Sequence, residues 1–209
     1  FAPRNDLEIK MFHYLMKTHC TKDRISVERV VSGKGLANVY EFLALEFPTQ
    51  IVTKVHQEFL QAGDEQGRVV AVNASSTAGS SLCLQAMKIM MSAYGCEVGN
   101  AAIKWIPTGG LFVTAGVAAK NIQYIEGANS DFMVSYRNKG RVSSILEKIP
   151  LFSVLVEDLG VRGVHRAAKI EYEKYLDGDG EKTRAQVKTI LSNNNALILA
   201  ATAVVSVAV

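Results

Sequence analysis

The sequence predicts an α/β fold in which helices pack around a short, partly parallel sheet. Three observations carry that expectation. Helical spacing of apolar residues recurs through most of the chain up to Ile106. Two short apolar runs, LFVTAG (111–116) and LFSVLVED (151–158), read as buried strands, too short and too rich in β-formers for helices. A helical pattern follows each of them, and a strand–helix–strand–helix order implies a parallel pair. Ligands in such sheets collect at the carboxyl ends of the strands. Here those ends carry Ala115–Gly116 and Glu157–Asp158–Leu159–Gly160.

The elements are justified in chain order. FAPRNDLE is a loop entering a helix that Asn5 or Asp6 caps, and Leu7, Met11 and Leu15 mark its face over residues 6–18. Ile25–Val31 reads as a short extended segment with Glu28 among strand-like residues. Ser32 is the next N-cap, and Leu36, Val39, Tyr40 and Leu43 form one face of a helix reaching Glu46. In Ser32-Gly33-Lys34-Gly35 the two glycines allow a tight turn, and free amides at the helix start favour an anion. Pro48 begins an amphipathic helix with Ile51, Val55, Phe59 and Leu60 inward, and QAGDEQG (61–67) is a turn-rich loop. Residues 78–106 are mostly helical, interrupted at Gly95 and Gly99, with Met87, Met90 and Met91 as core filler. PTGG (107–110) is a turn, VAAKNIQYI begins a helix, SDFMVSYRNKG and RVSSILEKIP give two short helical pieces, and residues 160–176 close with a helix.

Composition limits the function classes. The chain has 209 residues, 48% of them hydrophobic and 21% charged, near the globular average. A net charge of +3 from scattered basic residues argues against nucleic-acid binding, which needs a basic face. Cys20, Cys83 and Cys96 contain no CxxC and read as free thiols in a reducing compartment. His13, His19, His56 and His165 lack HExxH spacing, DGDG lacks the EF-hand ligand pattern, and GKG lacks the Walker A spacing. ALILAATAVVSVAV (196–209) is apolar, but shorter than the roughly 20 residues of a membrane span, so a buried terminal element is expected. The terminal VAV is not an SKL-type address, and cytoplasm is the default compartment.

Several blocks then fall together. VERVVSGKGLANVYEFL resembles the E-R-V-x-S-G-x-G-L-x-N-x-Y block of the glucokinase family of bacteria and several protists. GGLFVTAGVAAKNIQYI is similar to that family's G-G-x-x-x-x-G-G block, and KGRVSSILEKIPLFSVLVEDLGVRGV to its K-G-R…I-P…G-x-x-G closing segment. FAPRNDLE resembles the stretch after the family's sugar-binding GEGGH motif. The resemblance covers residues 1 to about 168, in order and with compatible spacing.

The resemblance implies the actin-like, ribonuclease-H-like ATPase fold, with two lobes closing over glucose and ATP. It implies ATP-dependent, Mg²⁺-assisted phosphorylation of the glucose 6-hydroxyl, the sugar-activating step of glycolysis. Residues 1–176 would be the C-terminal portion of the large lobe, and 177–209 a polar loop plus an apolar extension of unknown role. The family's phosphate loop, catalytic aspartate and GEGGH segment have no counterpart here. The chain alone is therefore expected to lack the general base and to be inactive, and a homodimer is a further expectation.

The resemblance also assigns site residues. Glu28 stands where the family's acid binds a sugar hydroxyl. A carboxylate suits that task, since it accepts two charge-assisted hydrogen bonds and a site so built rejects analogues lacking a hydroxyl. From spacing alone, Glu28 reads as an exposed residue paired with Arg29 or Lys34. Ala115 and Gly116 stand at the glycine pair beside the nucleotide, where a Cβ would intrude. Lys120 and Asn121 open the following helix toward ribose or phosphates. Gly160 and Gly163 match the closing glycines, with close helix packing as their first role. Many relatives have proline at Lys34 and glycine at Ala115. Two other readings remain: a non-catalytic, truncated kinase-fold interaction module, and a related kinase for another hexose.

Overall fold

The computed structural model describes residues 1–19, 24–75, 80–114, 116–156 and 158–175. Contacts divide the chain into two units, Phe1–Val113 with Lys120–Phe152, and Thr114–Ala119 with Ser153–Val209. The apolar terminal segment 196–209, and with it the 177–209 extension, lies outside the described residues. No helix among the described residues is long and apolar enough to cross a membrane.

The first unit is mainly helical. α1 (Asp6–Thr18) is capped by Asn5, whose side chain accepts from the Glu8 amide, and buries Met11 and Leu15. Glu8 is buried too, held by Arg4 through its backbone N–H, Nε and Nη2 at 2.9, 3.0 and 2.5 Å. Arg4 Nη1 reaches on to Ser92 and Ser135, so one guanidinium ties the chain's first turn to two later helices. α2 (Gly33–Glu46) starts at Ser32 as the sequence predicts and buries Leu36, Val39, Tyr40 and Leu43. Lys10 pairs with Glu46 between α1 and α2.

α3 (Thr53–Gln61) follows a 3₁₀ turn at Pro48–Gln50. Val55 and Phe59 turn inward, but Leu60 is 63% exposed, because it falls off their shared face. Only the first part of QAGDEQG is a turn. Gln66 and Gly67 already begin α4 (Gln66–Ser75), which buries Gly67, Val69, Val70 and Ala74. The centre is α5 (Ser81–Trp105), with eleven of its 25 residues buried, Met87, Met90 and Met91 among them. Gly95 and Gly99 do not interrupt it. They let α7 (Asp131–Arg137) lie against the α5 backbone: a Cβ on Gly95 would sit 2.0 Å from the Phe132 carbonyl oxygen, and one on Gly99 2.5 Å from that of Tyr136. Tyr94 meets Phe132 edge-on at 5.4 Å beside that contact.

Pro107–Gly110 forms the expected turn, with the Gly110 N–H bonded to the Pro107 carbonyl. β1 (Leu111–Val113) and β2 (Leu151–Ser153) make a two-stranded parallel sheet, in which the Leu111 N–H donates to the Pro150 carbonyl at 2.8 Å. The strands are shorter than their apolar runs and are not buried throughout. Phe112 and Phe152 stack at 5.0 Å on an exposed face while Val113 points inward, as alternation requires. In chain order α6 (Gly116–Lys120), which falls mostly in the second unit, α7 and α8 (Ser143–Leu146) come between the two strands.

In the second unit the main described element is α9 (Leu159–Lys174). None of its residues is buried, and a Cβ at Gly160 or Gly163 would meet nothing within 4 Å. Among the described residues nothing packs closely on those two glycines.

Candidate functional site

Glu28 lies in a 3₁₀ turn, Val27–Arg29, not in the extended segment its β-branched neighbours suggest. No strand among the described residues pairs with residues 25–31. The Val30 and Val31 amides both bond back to the Val27 carbonyl, closing the chain on itself, while Ile25, Val30 and Val31 go into the core. The turn is then fixed from α2. Ser32 Oγ accepts from the Gly35 N–H at 2.8 Å and donates to the Glu28 carbonyl at 2.7 Å. Asn38 Nδ2 donates to the Arg29 carbonyl at 3.0 Å. Gly35 makes this possible, because a Cβ there would sit 2.5 Å from the Val30 carbonyl carbon and 2.9 Å from the Glu28 oxygen.

This turn borders a surface hollow of about 410 Å³. Glu28, Ser32, Gly33 and Lys34 line one side, and Asp64, Glu65, Gly67 and Arg68 the other. The charges sort themselves. Lys34 Nζ lies 3.4 Å from Asp64, and Arg68 Nε lies 3.3 Å from Glu65. Glu28 is exposed and makes no side-chain bond or ion pair among the described residues. Its expected pairing with Arg29 or Lys34 does not form, since Lys34 turns to Asp64. The result is an exposed, unpaired acid on the lining of the hollow, whose two other carboxylates each lie beside a basic group. Such an arrangement can accept hydrogen bonds from the hydroxyls of a polyol.

Of the residues the sequence singles out for binding, the hollow holds Glu28. Lys120 and Asn121 do not line it. Lys120 closes α6, and Asn121 begins the 3₁₀ turn Ile122–Tyr124, so the two end one helix instead of opening another. Gly116 begins α6, half-buried, with Ala118 fully buried two residues on. Ala115 lies outside the described residues. Sequence reasoning misses Asp64, Glu65, Gly67 and Arg68. Their signal is a run of charges around a glycine directly before the apolar pair Val69–Val70. No cluster of three or more His, Cys, Asp or Glu side chains suited to a metal occurs among the described residues. Mg²⁺ delivered on a nucleotide's phosphates needs no such cage.

Elsewhere a few ionisable groups are shifted by burial. Burial and then Arg29 hold the His19 imidazole below its usual range. Burial pushes the Cys83 thiol up to about 11 and the Tyr40 hydroxyl to about 12, and Tyr40 meets His56 Nδ1 at 3.3 Å.

Comparison with known proteins supports the resemblance. The family model described as Glucokinase matches residues 1–171. The chain is 39% identical over 171 residues to the glucokinase of Trichormus variabilis, covering 78% of this chain and 49% of that protein. It is 40% identical over 174 residues to that of Nostoc punctiforme, with the same coverage of both chains. The Synechocystis enzyme is 39% identical over 171 residues, covering 78% of this chain and 47% of its own. The chain thus spans about half the length of the curated relatives it matches. With its family match running through the Glu28 turn, α5, both strands and most of α9, the chain belongs to the glucokinase family.

Proposed function

We propose that this chain forms part of a glucokinase that transfers the γ-phosphoryl group of ATP to the 6-hydroxyl of glucose, with Glu28 as one arm of the sugar cradle. The observation that carries the reading is the open Glu28 carboxylate at a hollow whose other carboxylates are already paired. A polyol replaces water at such a group with directed hydroxyl donors, and charge-assisted bonds make the exchange selective. The pairs Lys34–Asp64 and Arg68–Glu65 flank it with no net charge between them. In this reading Ala115, Gly116, Lys120 and Asn121 serve the nucleotide side, where small residues let a ligand approach the backbone. Mg²⁺ bound with ATP supplies charge neutralisation on the phosphates. The general base belongs to the part of the family pattern that has no counterpart in these residues, so the 209-residue chain by itself is inactive. The compartment is the cytoplasm, in keeping with the free thiols of Cys83 and Cys96.

Glu28→Gln tests the reading, because it keeps the shape and removes the charge. Loss of one hydrogen bond to a charged group lowers glucose affinity roughly ten- to a hundredfold. Glucose titration of the parent and variant proteins, followed calorimetrically or by amide shifts, measures it. Equal response of both would remove Glu28 from the sugar site. Glucose-dependent ADP release by the purified chain, with contaminating hexokinase excluded, would overturn the assignment of the base.

A further inference from the structure

Gly67 stands at the place where two helix starts touch. A Cβ on it would lie 2.1 Å from the Gly33 carbonyl oxygen, 2.8 Å from the Gly33 carbonyl carbon and 3.1 Å from the Gly33 Cα. All three are backbone atoms, so no side chain can swing aside. One of the two backbones must move if any side chain is added at residue 67. α4 is not free to do so. Val70 is fully buried and Val69 nearly so, and α4 packs on α2, α3 and α5. At Gly33 the start of α2 has room on its outer side: Gly33 is exposed, and its own would-be Cβ meets nothing within 4 Å, whereas Gly35 behind it is seated on Val30 and Glu28. The turn therefore yields. What it carries is Glu28, because Ser32 Oγ bonds the Glu28 carbonyl on one side and the Gly35 amide on the other.

We infer that Gly67 is a positioning residue for the sugar site: by seating the start of α4 directly on the Gly33 carbonyl, it sets the Ser32–Gly35 turn and, through Ser32, the place of Glu28. This rests on the reading of Glu28 as a sugar ligand, but the seat itself can be tested without sugar. It also explains why a glycine interrupts the charged run 64–68: Asp64, Glu65 and Arg68 can face Glu28 and Lys34 across the hollow only if the backbones meet at residue 67.

The experiment compares amide spectra of the full chain and its Gly67→Ala variant, with and without glucose. Gly109→Ala, in a turn outside the hollow and with open space around its Cβ, is the control for adding a methyl group. Without sugar, Gly67→Ala is expected to speed hydrogen exchange at the Val30, Val31 and Gly35 amides by about tenfold or more, leaving α5 amides as they were. With glucose, the parent protein is expected to shift its Glu28 amide and Gly67→Ala to lose that shift. Unchanged exchange at Val30, Val31 and Gly35 overturns the inference, whatever the sugar does. A parent protein whose Glu28 amide ignores glucose overturns the sugar reading instead, and the exchange comparison still decides the seat. Should Gly67→Ala give no dispersed spectrum, Ser32→Ala tests the same link from the other side without added bulk. A folded Ser32→Ala chain with an undisturbed Glu28 turn overturns the inference.

Discussion

α5 and α9 are both long helices with apolar faces, yet their surroundings are opposite. Eleven of the 25 residues in α5 are buried, whereas none of the 16 in α9 is. α5 is apolar nearly all round and lies among α2, α4 and α7. α9 carries Leu159, Val161, Val164, Ile170 and Tyr172 in the open, beside the ion pairs Arg162–Asp158, Lys169–Glu173 and Lys174–Glu171. The difference teaches that an apolar pattern establishes a helix without establishing burial. α5 is held by its neighbours. Among the described residues α9 shows charge pairs three and four residues apart, which by themselves suffice only marginally for a helix of this length.

The largest contrast should come from ion pairs. Glu8 is 2% exposed and is the carboxylate that holds Arg4, which in turn reaches Ser92 on α5 and Ser135 on α7. Glu8→Ala leaves a guanidinium without its counter-charge in a largely closed site, at a cost of about 3 kcal/mol. Glu171→Ala removes a pair whose side chains are both more than half exposed, and should change stability by less than about 0.5 kcal/mol. Urea unfolding of the two variants measures both. A similar midpoint for each would erase the distinction between the closed ion pair that reaches α5 and the open one on α9.

A smaller effect is expected from adding a methyl group to α5. In Gly95→Ala the new carbon meets the Phe132 carbonyl at 2.0 Å, and the α5–α7 contact must open at a cost of about 1–3 kcal/mol. Thermal unfolding reads the loss, and loss of the Tyr94–Phe132 edge contact should show in the near-ultraviolet circular dichroism. An unshifted melting temperature would mean that α7 is not seated on Gly95.

These cases show where the sequence is legible. A serine directly before an apolar 3.6-residue pattern announced α2, because capping is a local matter settled within four residues. The methionines of α5 and the positions of both strands were readable for the same reason. Residues 25–31 were not. Isoleucine and three valines favour an extended chain, but with no strand among the described residues to pair them the local bonds to Val27 win. Gly95 and Gly99 looked like breaks, since glycine weakens a helix by itself and only the partner backbone of α7 gives the reason for it. At the site, nothing in the spacing told Glu28 from any surface acid. The family blocks singled it out, and the ion pairs of Lys34 and Arg68 then left it open. The far wall at residues 64–68 was hidden because Gly, Asp, Glu and Gln compose a loop as readily as the first turn of a helix.

The finest test returns to α9. Gly163 sits inside that helix, and nothing lies within 4 Å of its would-be Cβ. Glycine in a helix interior costs about 1 kcal/mol relative to alanine, through the backbone freedom it surrenders. With no steric term against it, Gly163→Ala should recover most of that locally, raising the far-ultraviolet helical signal and slowing amide exchange in α9 by roughly fivefold. The same change at Gly95 has the opposite sign, so the pair separates a glycine required by contact from one that contact leaves free. If Gly163→Ala instead lowers helicity or stability, a backbone or ligand must approach Gly163 in solution, and α9 belongs with α5 among the helices that packing holds in place.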